Sequence, residues 1–131
     1  VAYRIKYYSP AILYVILIAF LSSLDQRIVA TYSWGIRDFI LHGIEYNLLG
    51  VTLIWAVFRD KHSIELRASY RLAVSLGVAI AIADEFYQSF VPSRFSTIED
   101  VVADSFGVIL SILTFKLLMK ISWLERYRRH A

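Results

Sequence analysis

Six carboxylates stand where carboxylates are costly. Asp38 and Glu45 lie near the start of one apolar run, Asp84 and Glu85 at the end of a second (LAVSLGVAIAIA), and Asp100 and Asp104 at the start of a third. Gln88, Arg94 and His42 accompany them, with Glu99 nearby. An ionisable side chain inside a membrane segment costs about 2.5–3.5 kcal/mol on insertion scales, so acids grouped in such places call for a functional reason. Crowded in a low-dielectric site, the six cannot all be ionised without a proton or a cation, because His42, Arg94 and Arg37 are too few to balance them. Three chemistries suit the set: a site for a proton or a divalent cation, an acid–base pair for hydrolysis, or a polar cup for the headgroup of a lipid or glycan. The plainer alternative is that Arg94 and His42 pair with acids only to lock helices together, although buried ion pairs contribute little net stability.

Spacing says which groups can face one another. Asp38, His42 and Glu45 are four and three residues apart, which puts them on one face of a helix. Asp100, Asp104, Gly107 and Ser111 recur at intervals of four, three and four, again one face, and Gly107 lets a neighbouring backbone approach closely. Asp84 and Glu85 are adjacent, about 100° apart around a helix, so only one can face the bundle centre squarely. Gln88 lies within reach of either.

The elements that must hold these groups are membrane spans. The chain of 131 residues is 58% hydrophobic and 19% charged, with a mean hydropathy of +0.56. Soluble proteins are about 45–50% apolar, so the excess points to lipid. With no cysteine, disulfides and Cys-based zinc sites are excluded, and a net charge of +3 gives no nucleic-acid signature. The apolar runs predict a single all-α integral-membrane domain over 1–131, a four-helix transmembrane bundle with helices near 8–24, 36–58, 70–91 and 98–121. Pro92 is the expected stop of the third helix, Ser96 or Thr97 the N-cap of the fourth, and the segment from Glu125 a basic tail. The basic, aromatic lead-in VAYRIKYYSP reads as an interfacial anchor, and the first run lacks a small-x-small cleavage signal after Phe20. Val1 suggests that an initiator Met, or more, has been removed or lies outside this sequence. The tryptophans and most tyrosines read as interfacial anchors, and His62 and His130 as surface residues.

Charge sets an orientation. Eleven Lys and Arg residues lie in the lead-in, the middle connector and the C-terminal end, against three (Arg27, Arg37 and Arg94) in the other two connectors. The positive-inside rule therefore predicts a multi-pass protein of the cell membrane with both termini cytoplasmic, and the acids in the outer half of the bilayer.

The run DEFYQSFVPSRFSTIEDVVADSFG over 84–107 resembles the signature of the VanZ-like membrane protein family. There a D-E-x-x-Q segment ends one transmembrane helix, a P-x-R turn follows, and an Asp precedes Asn-x-x-Gly in the next. Asp38 and His42, with Tyr46 behind them, are similar to the family's other motif. The resemblance implies importance for Asp38, His42, Asp84, Glu85, Gln88, Arg94, Asp100 and Gly107. Phe39 stands where the family usually has Lys, and Asp104 where it usually has Asn, which strengthens the expectation of proton or cation occupancy. Glu45 rests on its position alone. A named member of the family is associated with resistance to the glycopeptide teicoplanin. The resemblance thus implies an antibiotic-resistance-like role, in which an outer cup engages a lipid-linked cell-envelope component or a glycopeptide. Membrane lipid is then an expected partner, and no organic cofactor is evident. Two alternatives stand beside it. One is a small membrane-embedded hydrolase or transferase in which Glu85, Asp84 and His42 do acid–base work. The other is a proton- or cation-coupled transporter, for which so small a chain would form a homo-oligomer.

Overall fold

The computed structural model describes residues 2–24, 36–60, 65–92, 94 and 96–130; for 2–4, 36–38 and 122–130 it describes the backbone only. Four helices account for nearly all of these: α1 (Ala2–Ser22), α2 (Ile36–Asp60), α3 (Leu66–Gln88) and α4 (Ile98–His130). Each contains a stretch long and apolar enough to cross a membrane, namely Ile5–Ser22, Phe39–Asp60, Leu66–Gln88 and Ile98–Ile121. The helices alternate in direction. Tyr8 near the start of α1 donates to Asp60 at the end of α2 (3.1 Å), while Ser22 at the end of α1 donates to Asp84 near the end of α3 (2.9 Å).

Several helix ends differ from the sequence expectation, and three of them have a clear local reason. Helix α1 starts at Ala2 and carries Pro10 inside it. Proline has no N–H for the carbonyl four residues back, and the Ser9 hydroxyl donates to that carbonyl of Lys6 instead, at 3.4 Å. Helix α3 ends at Gln88. Beyond it, Phe90 bonds back to Tyr87 and Val91 to Gln88, both at 3.0 Å, tighter turns that unwind the chain ahead of Pro92. Helix α4 runs on to His130, since the segment after Ile121 contains neither Gly nor Pro to stop it.

Small residues let α2 and α4 form the closest pair. On α4, Ala103, Asp104, Gly107, Val108, Ser111 and Phe115 form one buried face, and Tyr46, Leu49, Gly50, Leu53, Ile54 and Val57 form that of α2. Gly107 lies against the backbone of Gly43, and Gly50 against Ser111 and the carbonyl of Val108. At the end of the bundle away from the acids, Phe115 takes Phe58 and Tyr70 edge-on, each with ring centroids 6.3 Å apart. Arg59 stacks over Tyr7 and Trp55 at the same end, at 5.4 and 5.0 Å. Outward-facing positions carry large apolar side chains such as Leu13, Ile40, Phe86 and Phe106, each more than half exposed. An apolar exterior this extensive needs lipid to cover it.

Candidate functional site

The polar residues gather at the opposite end, where α1 and α3 finish and α2 and α4 begin. They form three hydrogen-bonded groups.

The first joins α1 to α3. Asp84 Oδ2 accepts from Ser22 Oγ and from Gln88 Nε2, both at 2.9 Å, and Gln88 Nε2 also lies 3.3 Å from Ser22 Oγ. Arg94 then donates through one terminal nitrogen to Gln88 Oε1 (3.2 Å) and through the other to the Leu21 carbonyl (2.7 Å), with Nε 3.5 Å from the Leu24 carbonyl. Arg94 stays within electrostatic reach of Glu45, but its described hydrogen bonds go to Gln88 and to backbone carbonyls, not to a carboxylate. The guanidinium instead satisfies orphan carbonyls at the C-terminal end of α1, where a cation also suits the helix dipole.

The second group fixes the start of α4. Thr97 is its N-cap: the hydroxyl accepts from the Asp100 N–H (3.2 Å) and donates to Asp100 Oδ2 (2.8 Å). In a capping box the third helical residue would return a bond to the N-cap N–H. Here that N–H goes to Glu85 Oε1 on α3, at 2.7 Å, and Ser96 Oγ donates to the Glu85 carbonyl at 3.0 Å. Glu85 is buried, and its Oε2 has no hydrogen-bond partner. The adjacent acids are therefore divided, Asp84 turned to α1 and Glu85 to α4.

The third group sits between α2 and α4. His42 Nδ1 and Asp104 Oδ1 are 2.9 Å apart, with Asp104 fully buried and its Oδ2 without a partner. Glu45 lies half-buried within electrostatic reach of His42, Asp104, Asp84 and Arg94. The buried Tyr46 hydroxyl sits beside Asp84 without a well-formed hydrogen bond. One turn further on, Asn47 donates to the Gly107 carbonyl at 3.3 Å. The side chain of Asp38 lies outside the described residues. Among the described residues no three His, Asp or Glu side chains gather in a metal-binding arrangement.

Seven expected site residues thus share one end of the bundle in contact or electrostatic reach: His42, Glu45, Asp84, Glu85, Gln88, Arg94 and Asp104. Asp100 lies there too, but its described bonds belong to the α4 cap. Sequence reasoning missed the contribution of α1, made by Ser22, Ser23 and the carbonyls of Leu21 and Leu24. A serine at the end of an apolar run is too common to single out. Between α1 and α3 an apolar groove of about 480 Å³ runs from this end into the span, walled by Val15, Ile18, Ala19, Ile80 and Ala83. Its polar end is lined by Asp84, Ser23 and Tyr87, whose hydroxyls at positions 23 and 87 are 2.9 Å apart.

Nothing matches among curated proteins or among solved structures. The VanZ/LLP1 family model matches residues 7–119, a stretch that includes every candidate residue and nearly all of the four spanning segments. A match over that much of the chain, together with four apolar helices, makes this an integral membrane protein that belongs to the VanZ/LLP1 family.

Proposed function

We propose that this protein lies in the cell membrane as a multi-pass binding factor and engages an amphiphilic cell-envelope component, a lipid-linked precursor or a glycopeptide, through the polar end of its bundle. The observation that carries the reading is the groove between α1 and α3, apolar along its walls and carboxylate-bearing at one end. A molecule with an apolar chain and a polar head matches both parts, and binding sites generally combine an apolar lining with a few fixed polar groups. A role in resistance to glycopeptides would follow if the bound component is one that such antibiotics target.

The charge asymmetry supports an extracytoplasmic position for the polar end. A cysteine at the exposed position Ser96 is then expected to react with a membrane-impermeant thiol reagent added outside intact cells, and one at Ser63 to stay unlabelled. The reverse pattern would put the site on the cytoplasmic face.

Mass spectrometry of protein purified in gentle detergent tests the binding itself. Wild-type protein should carry a stoichiometric amphiphile, and Ala19→Phe, which fills the groove, should carry several-fold less. Equal loading of the two proteins would remove the groove from the proposal.

The His42–Asp104 pair favours a second reading. A histidine oriented by a buried carboxylate is the base-and-orienter half of many hydrolytic sites. A hydrolase or transferase would return an altered product from envelope lipids, and His42→Gln would return the lipid intact.

A further inference from the structure

The chemistry at the mouth of the α1–α3 groove narrows the ligand class, given the reading above that the groove binds an amphiphile. Among the described residues Asp84 is the only charged one that lines it, and the hydroxyls of Ser23 and Tyr87 stand beside it. Arg94 is not part of that lining. It stands behind Gln88, turned to the carbonyls of α1. Both hydrogen bonds to Asp84 fall on Oδ2, from Ser22 and Gln88, so the carboxylate is held in place. Asp84 lies four residues inside the end of α3, about 6 Å along the axis, so with Leu66–Gln88 across the bilayer it would stand near the headgroup and acyl boundary. From Ser23 to Val15 the groove follows α1 for about 12 Å, the length of the upper part of an acyl chain.

We infer that the groove selects a membrane lipid whose headgroup carries a primary amine, with the ammonium on Asp84 and the acyl chain along α1 and α3. A primary ammonium can donate to the carboxylate and to the neighbouring hydroxyl oxygens together, as three donors on one centre allow. A trimethylated ammonium has the charge without the donors, and an anionic headgroup meets repulsion from Asp84. The recognition therefore separates three lipids that share the same chains.

The test reconstitutes the full chain in bilayers of equal parts phosphatidylethanolamine, phosphatidylcholine and phosphatidylglycerol, then reads retained lipid by native mass spectrometry. Phosphatidylethanolamine should be enriched about tenfold over each of the others, the scale of one charge-assisted hydrogen-bonded contact. Asp84→Asn, which keeps an oxygen for Ser22 and Gln88, should retain lipid without preference, and Asp84→Glu should keep the preference. A measurement without mutation stands beside these: N-acylated phosphatidylethanolamine, which has lost the ammonium, should not be enriched. If wild-type protein retains lipid but does not distinguish headgroups, or if the preference survives in Asp84→Asn, the amine assignment falls and groove binding stands. Absence of any retained lipid in the wild type would sink both.

Discussion

Gly107→Ala is expected to unfold in detergent under conditions where the wild type stays intact. A methyl group on Gly107 would overlap the carbonyl oxygen of Gly43 and come within 3.0 Å of its carbonyl carbon and Cα. Backbone cannot rotate out of the way, so α2 and α4 would have to separate, and the bond from Asn47 to the Gly107 carbonyl would be lost with them. Overpacking a well-fitted core usually costs 1–3 kcal/mol, and a rigid obstacle puts this substitution at about 3 kcal/mol or above. Gly77→Ala is the comparison. Its methyl would meet Val108 Cγ1 at 2.6 Å and Cγ2 at 3.0 Å, side-chain atoms that can move with their residue. Thermal loss of helical circular dichroism should therefore come much earlier for Gly107→Ala than for Gly77→Ala. Equal midpoints would mean that the α2–α4 approach is looser than the Gly43–Gly107 contact implies.

That contact was legible in the sequence, and its legibility shows what the pattern could and could not carry. Gly107 shares a face with Asp104 and Ser111 by spacing alone, and a glycine on a polar stripe inside an apolar span has few uses besides close approach. The four spans were equally readable, because a bilayer imposes a length on apolar runs that no soluble fold does. Faces could be read from offsets of three and four, and the faces of α2 and α4 do meet, at His42 and Asp104. Which residue a long polar side chain chooses was not readable. Arg94 lies within electrostatic reach of Glu45, yet its described hydrogen bonds go to Gln88 and to carbonyls at the end of α1. Glu85 was expected in an open cup, yet one oxygen caps α4. Both choices depend on unsatisfied backbone groups at helix ends, which exist only once the helix ends are placed.

Asp104→Leu and Asp104→Asn should separate widely. Leucine removes the acceptor from His42 Nδ1, 2.9 Å away, and puts an apolar side chain against that ring nitrogen. Breaking a buried pair by deleting one partner costs about 3–5 kcal/mol. Asparagine keeps an oxygen for the histidine, removes a buried carboxylate oxygen that has no partner, and restores the residue usual in the VanZ-like signature. Its stability should lie within about 1 kcal/mol of the wild type. Denaturation by a graded mole fraction of strong detergent measures both. Adding His42→Leu to Asp104→Leu should recover part of the loss, since the imidazole whose Nδ1 partner was deleted is removed with it. A stable Asp104→Leu single variant would show that the pair contributes nothing to the fold.

The attachment of α1 also dictates an order of assembly during biosynthesis. The partners that hold its end, Asp84, Gln88 and Arg94, are between 62 and 73 positions further along the chain. When α1 leaves the ribosome it can enter the bilayer, but its final carbonyls and Ser22 have nothing in the protein to bond until α3 and the turn after it have been made. The start of α1 can pack on α2 as soon as that helix is made, through Tyr8 and Asp60, whereas its far end is fastened only once α3 and the turn after it exist. A nascent chain arrested before Arg94 should therefore hold α1 against α2 in the membrane while the carbonyls at its Ser22 end still await the guanidinium.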